Sequence, residues 1–169
     1  MNRLLAATVT SALLGAVASL VLDVATVTST SMLPSLLPNQ RVLVLATQGV
    51  AGVLRGGWVP ERGEVIVLIP PDRAGLVVKR IVALPADRVS IRSGIVFING
   101  TAVQEPYLSA RDATVRLADS WPSGGGKEFS VPAGRLVVLG DNREASADSR
   151  VWGSVAETDV IGTVIAALY

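Results

Sequence analysis

Neither cysteine nor histidine occurs in the 169-residue chain. Without cysteine there is no disulfide, no thiolate nucleophile and no thiolate-bound zinc. Without histidine there is no Ser-His-Asp triad, and the usual imidazole base is missing. A hydrolase made from these residues must use a serine or threonine hydroxyl with lysine or a carboxylate as base, or carboxylates alone. A dominant charge sign is missing too. The formal net charge is +1 and no run of like charges appears, which argues against a nucleic-acid partner. The missing cysteines leave the compartment open, since cysteine-free chains occur on both sides of a membrane. Lysine is nearly absent: of 15 basic residues only Lys79 and Lys127 are lysines. Arginine cannot deprotonate, whereas a buried lysine can. Lys127 follows three glycines and reads as a solvated loop. Lys79 stands between "GLVV" and "RIVAL" and is the one to explain.

What the chain does have is apolar residues, which make up 50%. Leu4 to Leu22 carries no charge. As a helix it would span about 28 Å, close to the hydrocarbon core of a bilayer. Arg3 before it and Asp23 after it favour an inside N-terminus and an outside remainder. The competing reading is a cleavable signal peptide, since "AVA" at Ala16–Ala18 resembles an A-x-A cleavage site.

The rest reads as β. Arg41–Leu45, Glu64–Ile69, Leu76–Leu84, Arg88–Ile91, Ile95–Ile98 and Arg135–Leu139 are rich in valine and isoleucine and are bounded by turn residues. Asn99-Gly100 signals a hairpin, with Ala102–Val103 returning. Ser109 to Lys127 is polar and glycine-rich and reads as a loop or insertion. The expectation is an antiparallel β domain of closed or sandwich type. It comprises a membrane anchor over 1–23, a β domain over 24–169 and a small inserted hairpin and loop at about 92–127.

Three stretches could carry chemistry. On a strand, Lys79 shares a face with Val77 and Ile81. It is either a guard against edge aggregation or a general base. A free lysine sits near pKa 10.4, so poising it near 7 takes about 4–5 kcal/mol of desolvation, which a Val/Ile-lined site can supply. "TSTSMLPSL" at Thr28–Leu36 is either a loop leaving a helix or the seat of a nucleophile close to a membrane exit. "GDNREASADSR" at Gly140–Arg150 is either a charged surface turn with exposed ion pairs or a network that holds a catalytic residue.

In order, the chain carries Ser31-Met32-x-Pro34, Arg62-Gly63-Glu64-Val65, Val78-Lys79-Arg80-Ile81 running into Leu84-Pro85-x-Asp87, and Gly140-Asp141-Asn142-Arg143-x-x-Ser146-x-Asp148-Ser149-Arg150. Behind an N-terminal apolar span, this succession closely resembles bacterial type I signal peptidases, the Ser/Lys endopeptidases that remove signal peptides. The resemblance implies a mainly β, antiparallel and barrel-like catalytic domain, related to self-cleaving repressors, with one N-terminal transmembrane helix. It implies Ser31 as nucleophile and Lys79 as general base, with the Ser31 N–H and the Ser29 hydroxyl as oxyanion donors. Ser146 would orient the Lys79 amine. Asp141, Arg80, Asp148 and Arg150 would form supporting ion pairs. A substrate strand would lie between Ala25–Val27 and Leu76–Val78, its pocket lined by Val27, Met32, Leu36, Val77 and Val78. No metal or cofactor is implied. The implied partners are secretory preproteins with A-x-A-type signal peptides and the lipid bilayer. The implied location is the plasma (inner) membrane, single-pass, with the catalytic domain on the extracytoplasmic side. Thr28, Glu64 and Ala86 depart from the family's usual Pro, Asp and Gly, and Ala86 puts the backbone of its turn in question. Two other readings remain: a Ser/Lys maturation peptidase devoted to one pilin- or conjugation-type substrate, and a non-catalytic scaffold. A self-cleaving repressor would need a DNA-binding segment where this chain has an apolar span.

Overall fold

The computed structural model describes residues 22–48, 57–109 and 128–168. Residues 4–21 of the expected anchor, and the expected loop over 110–127, lie outside them. Two antiparallel sheets organise the rest. The first orders its seven strands β1-β2-β11-β3-β4-β9-β10. They are β1 (Leu22–Thr26), β2 (Arg41–Ala46), β3 (Val65–Leu68), β4 (Val77–Ala83), β9 (Arg135–Leu139), β10 (Val155–Ala156) and β11 (Val160–Leu168). The second runs β7-β6-β5-β8, from β5 (Arg88–Arg92), β6 (Ile95–Ile98), β7 (Thr101–Ala102) and β8 (Phe129–Ser130). A short helix, α1 (Ser149–Trp152), follows β9.

The valine- and isoleucine-rich runs are all strands, as their side-chain types favour. The Asn99-Gly100 hairpin forms with both residues at positive φ, 53° and 82°. Three elements depart from the expectation. Leu22 and Asp23 pair with Leu45 and Val44, so the sheet begins inside the segment assigned to the anchor. β11 is nine residues long and lies inside the first sheet between β2 and β3, although Gly162 interrupts its apolar run. Glycine is needed there, because a Cβ would lie 2.5 Å from Val44 Cγ1 and 2.8 Å from the Leu45 carbonyl. α1 is nucleated by Asp148, whose carboxylate accepts from the Arg150 N–H.

Three apolar clusters make the core. One joins the sheets: Val82 and Ala83 of β4 and Val137 and Leu139 of β9 pack with Val89, Ile91, Val96 and Ile98. A second holds Ile66, Leu68, Ile81, Leu136, Val138, Val155 and Val160. The third, at the β1 end, holds Val27, Met32, Leu36, Val42, Val44 and Val67.

Candidate active site

Ser31 lies on the tight turn that leaves β1. The turn is closed by Leu33 N–H to Thr30 O and Leu36 N–H to Met32 O, at 3.2 and 2.9 Å. Met32 anchors it, with no solvent exposure. Lys79 lies in the middle of β4, and only 3% of it is exposed. Its Nζ donates to Ser31 Oγ at 2.7 Å and to the Val78 carbonyl at 3.0 Å. Ser29 Oγ is 3.1 Å from Ser31 Oγ. Burial pulls the Lys79 pKa down to about 8, assisted by Arg150 and opposed by the carboxylates of Asp148 and Asp141.

The segment from Gly140 to Arg150 closes over this pair. The Asn142 N–H donates to Ser31 O at 2.9 Å, and its side-chain Nδ2 donates to Thr30 O at 3.1 Å. Contact is close enough that a Cβ on Gly140 would lie 2.6 Å from Ser31 O and 2.2 Å from Ser146 Oγ. Arg80 grips Asp141 with two bonds, Nε at 2.9 Å and Nη2 at 2.6 Å. Burial disfavours the Arg80 charge, but the hydrogen bond and charge of Asp141 outweigh it and raise its pKa. Asp148 accepts from Arg150 Nε and Nη2, both at 2.8 Å, and from the Gly140 N–H at 3.0 Å. Burial alone would raise the Asp148 pKa, but these donors, Arg150 foremost, bring it below the ordinary carboxylate value. Arg150 also caps Arg143 O and Ser146 O. This is not an exposed turn: Asp141 and Asp148 have no solvent exposure and Arg143 has 2%.

Val77 packs apart from the other pocket candidates, and Ser146 has contacts of its own. Ser146 Oγ hydrogen-bonds Asp148 and lies 3.5 Å from the Ala147 carbonyl, while the Lys79 amine directs two of its three donors to Ser31 and Val78. Val77 packs with the cluster of Ile66, Leu68 and Ile81, apart from Val27, Met32, Leu36 and Val78, which share the other cluster. Successive side chains of a strand point to opposite faces, so Val77 and Val78 cannot line one pocket from the same side.

Sequence reasoning passed over Asn142 and the Glu105-Pro106-Tyr107 segment. Glu105 takes both Nη atoms of Arg143, and the Tyr107 hydroxyl donates to Glu105 at 2.7 Å. The Tyr107 ring lies 4.0 Å from the Arg80 guanidinium carbon. Asn142 was within reach of the Gly140–Arg143 motif, whereas an isolated Glu-Pro-Tyr in a polar loop carries no local signal. Among the described residues no group of acidic side chains is arranged to hold a metal ion.

Known proteins resemble this chain closely. A family model described as "Signal peptidase, peptidase S26" matches residues 1–169. Signal peptidase IB of Staphylococcus aureus is 32% identical over 148 residues, covering 82% of this chain and 73% of its own. Signal peptidase I P of Bacillus subtilis subsp. natto is 34% identical over 134 residues, covering 79% and 69%. The crystal structure of a signal peptidase I from Enterococcus faecalis superposes with a TM-score of 0.52 at 30% identity. It covers 63% of this chain and 97% of its own.

Proposed function

The chain belongs to the signal peptidase family, peptidase S26, and is a serine peptidase; from that premise we propose that it removes signal peptides from secretory preproteins with Ser31 as nucleophile and Lys79 as general base. The observation that carries this reading is the 2.7 Å contact between Lys79 Nζ and Ser31 Oγ, with both groups buried. With the amine neutral, the same contact lets the hydroxyl donate to the nitrogen lone pair. As Ser31 Oγ attacks the scissile carbonyl, the proton passes to Lys79. Lys79 then returns it to the leaving amine. The Ser31 N–H and the Ser29 hydroxyl supply the oxyanion donors, each typically worth about 3–4 kcal/mol.

The substrate strand has room on two strand edges. Among the described residues, β1 pairs only with β2, and β9 covers β4 only from Arg80 onward. The free edges of β1 and of Val77–Lys79 can accept an extended peptide by main-chain bonds. Val27, Met32, Leu36 and Val78 make the apolar floor beside it. A floor so close to the backbone accepts alanine and excludes bulk, which suits A-x-A sites. Cleavage of a peptide with leucine before the cut as fast as one with alanine would sink this part of the reading.

Residues 4–21 complete the proposal as a single membrane span, with the catalytic domain on the extracytoplasmic side of the plasma membrane. No described helix is long and apolar enough to cross a bilayer. The decisive assay is cleavage of a purified A-x-A preprotein in detergent by wild type, Ser31→Ala and Lys79→Arg. Wild type cuts, and both variants fold but fail. Arginine keeps the charge but cannot act as a base, so cleavage by Lys79→Arg would overturn the mechanism.

A further inference from the structure

We propose that Glu105 and Tyr107 are positioning residues for the Ser31/Lys79 reaction, clamping the Gly140–Arg143 segment onto the nucleophile turn through two arginines. The inference rests on the dyad reading given above.

The clamp has two arms that meet at Glu105. In the first, Arg143 places both Nη atoms on the Glu105 carboxylate, at 3.1 and 2.5 Å, and its Nε on the Gly140 carbonyl at 3.1 Å. In the second, Tyr107 donates its hydroxyl to the same carboxylate and sets its ring against Arg80, which holds Asp141. The two arms therefore fix Gly140 and Asp141. The next residue, Asn142, donates to Ser31 O and Thr30 O. A path of direct contacts thus runs from Glu105 and Tyr107 to the backbone of the nucleophile.

Burial sets this pair apart from a surface ion pair. The Arg143 and Glu105 side chains are 1% and 8% exposed. Two charges taken out of water are held stably only when geometry and extra hydrogen bonds compensate for lost hydration. Here the Tyr107 hydroxyl and the Gly140 carbonyl supply those bonds. A plain fastening of the β7 exit to the domain would not need two arginines converging on the segment that touches Ser31. Displacing that segment by about 1 Å would move Ser31 Oγ against Lys79 Nζ, an error of a size that costs up to about 100-fold in rate.

The test uses the full chain in detergent with a saturating A-x-A peptide, comparing wild type with Glu105→Gln, Tyr107→Phe and Tyr107→Leu. Rates are normalised to folded enzyme. Glu105→Gln is expected to lower kcat about 30-fold with KM within about threefold, because the loss falls on alignment rather than on the peptide slot. Tyr107→Leu, which removes ring and hydroxyl, is expected to lower kcat about tenfold. Tyr107→Phe keeps the ring on Arg80 and recovers most of that loss. A merely structural role would lower the melting temperature and leave kcat alone. The proposal is overturned if kcat of both Glu105→Gln and Tyr107→Leu stays within about twofold of wild type. If Glu105→Gln does not fold, Tyr107→Leu decides by the same criterion. Lys79→Arg in the same assay reports on the dyad separately, since cleavage by that variant overturns the dyad whatever the clamp variants do.

Discussion

Lys79 shows how one residue's surroundings set its chemistry. The residue is 3% exposed, and burial is the largest influence on its pKa, which falls to about 8. Asp148 and Asp141 pull the other way and keep it from falling further. The base form is the neutral amine, so the rate follows the deprotonated fraction. On the dyad reading, kcat/KM rises with pH, with a midpoint near 8, and drops about tenfold per pH unit below it. A pH–rate profile of wild type on an A-x-A peptide checks this. A flat profile from about pH 6 to 9 would remove Lys79 as the titrating base. The identity of this lysine was legible in the sequence because the chain otherwise prefers arginine. What holds it was less legible. The contacts of Asn142 and Glu105 depend on which loops the fold brings together.

Turns and strands follow the same division. The valine- and isoleucine-rich strands and the Asn99-Gly100 hairpin could be read locally, because side-chain branching and turn chemistry act over a few residues. β11 could not, since Gly162 weakens a strand pattern and is required only by its closeness to β2. β8 and β10 are two residues long and leave no periodicity to read. The turn between β4 and β5 was flagged in the sequence, since Ala86 departs from the glycine that the resemblance implies there. It does adopt a left-handed backbone, with φ of 69°. An L-residue with a Cβ is strained there by about 1–2 kcal/mol, offset in part by the larger entropy that glycine loses on folding. Ala86→Gly is therefore expected to stabilise the protein by about 0.5–1 kcal/mol without changing kcat. Denaturant unfolding measures it. A destabilised Ala86→Gly would mean that the turn is not strained.

At the scale of the molecule, the active-site candidates come from three separated places: the β1 exit, the middle of β4 and the segment after β9. The motif order in the sequence named them, but only sheet order brings them within hydrogen-bonding distance. The second sheet is joined to the first by the shared apolar cluster and, at its edge, by one carboxylate. Asp87 accepts from the Leu84 N–H at 2.8 Å, from Arg62 at 2.6 Å and from Asn99 at 2.8 Å, joining the β4 end, the approach to β3 and the β6–β7 hairpin. Burial pushes its pKa up, but these three donors outweigh burial and hold it below 3.8. A carboxylate with a depressed folded-state pKa adds stability above its unfolded value, and that stability is lost as pH falls through the folded value. Replacing it with asparagine keeps the shape but removes the charge that Arg62 meets. Arg62 is 42% exposed, so water screens part of that attraction. Asp87→Asn is expected to cost about 1–2 kcal/mol at pH 7, with the gap to wild type closing as pH drops below about 4. Asp148, whose pKa is also lowered, is present in both proteins, so it cancels from the difference. Urea unfolding at pH 7 and pH 3 reads the gap directly. A gap that stays constant between the two would assign the loss to altered packing and remove the Asp87 charge as a joint between the sheets.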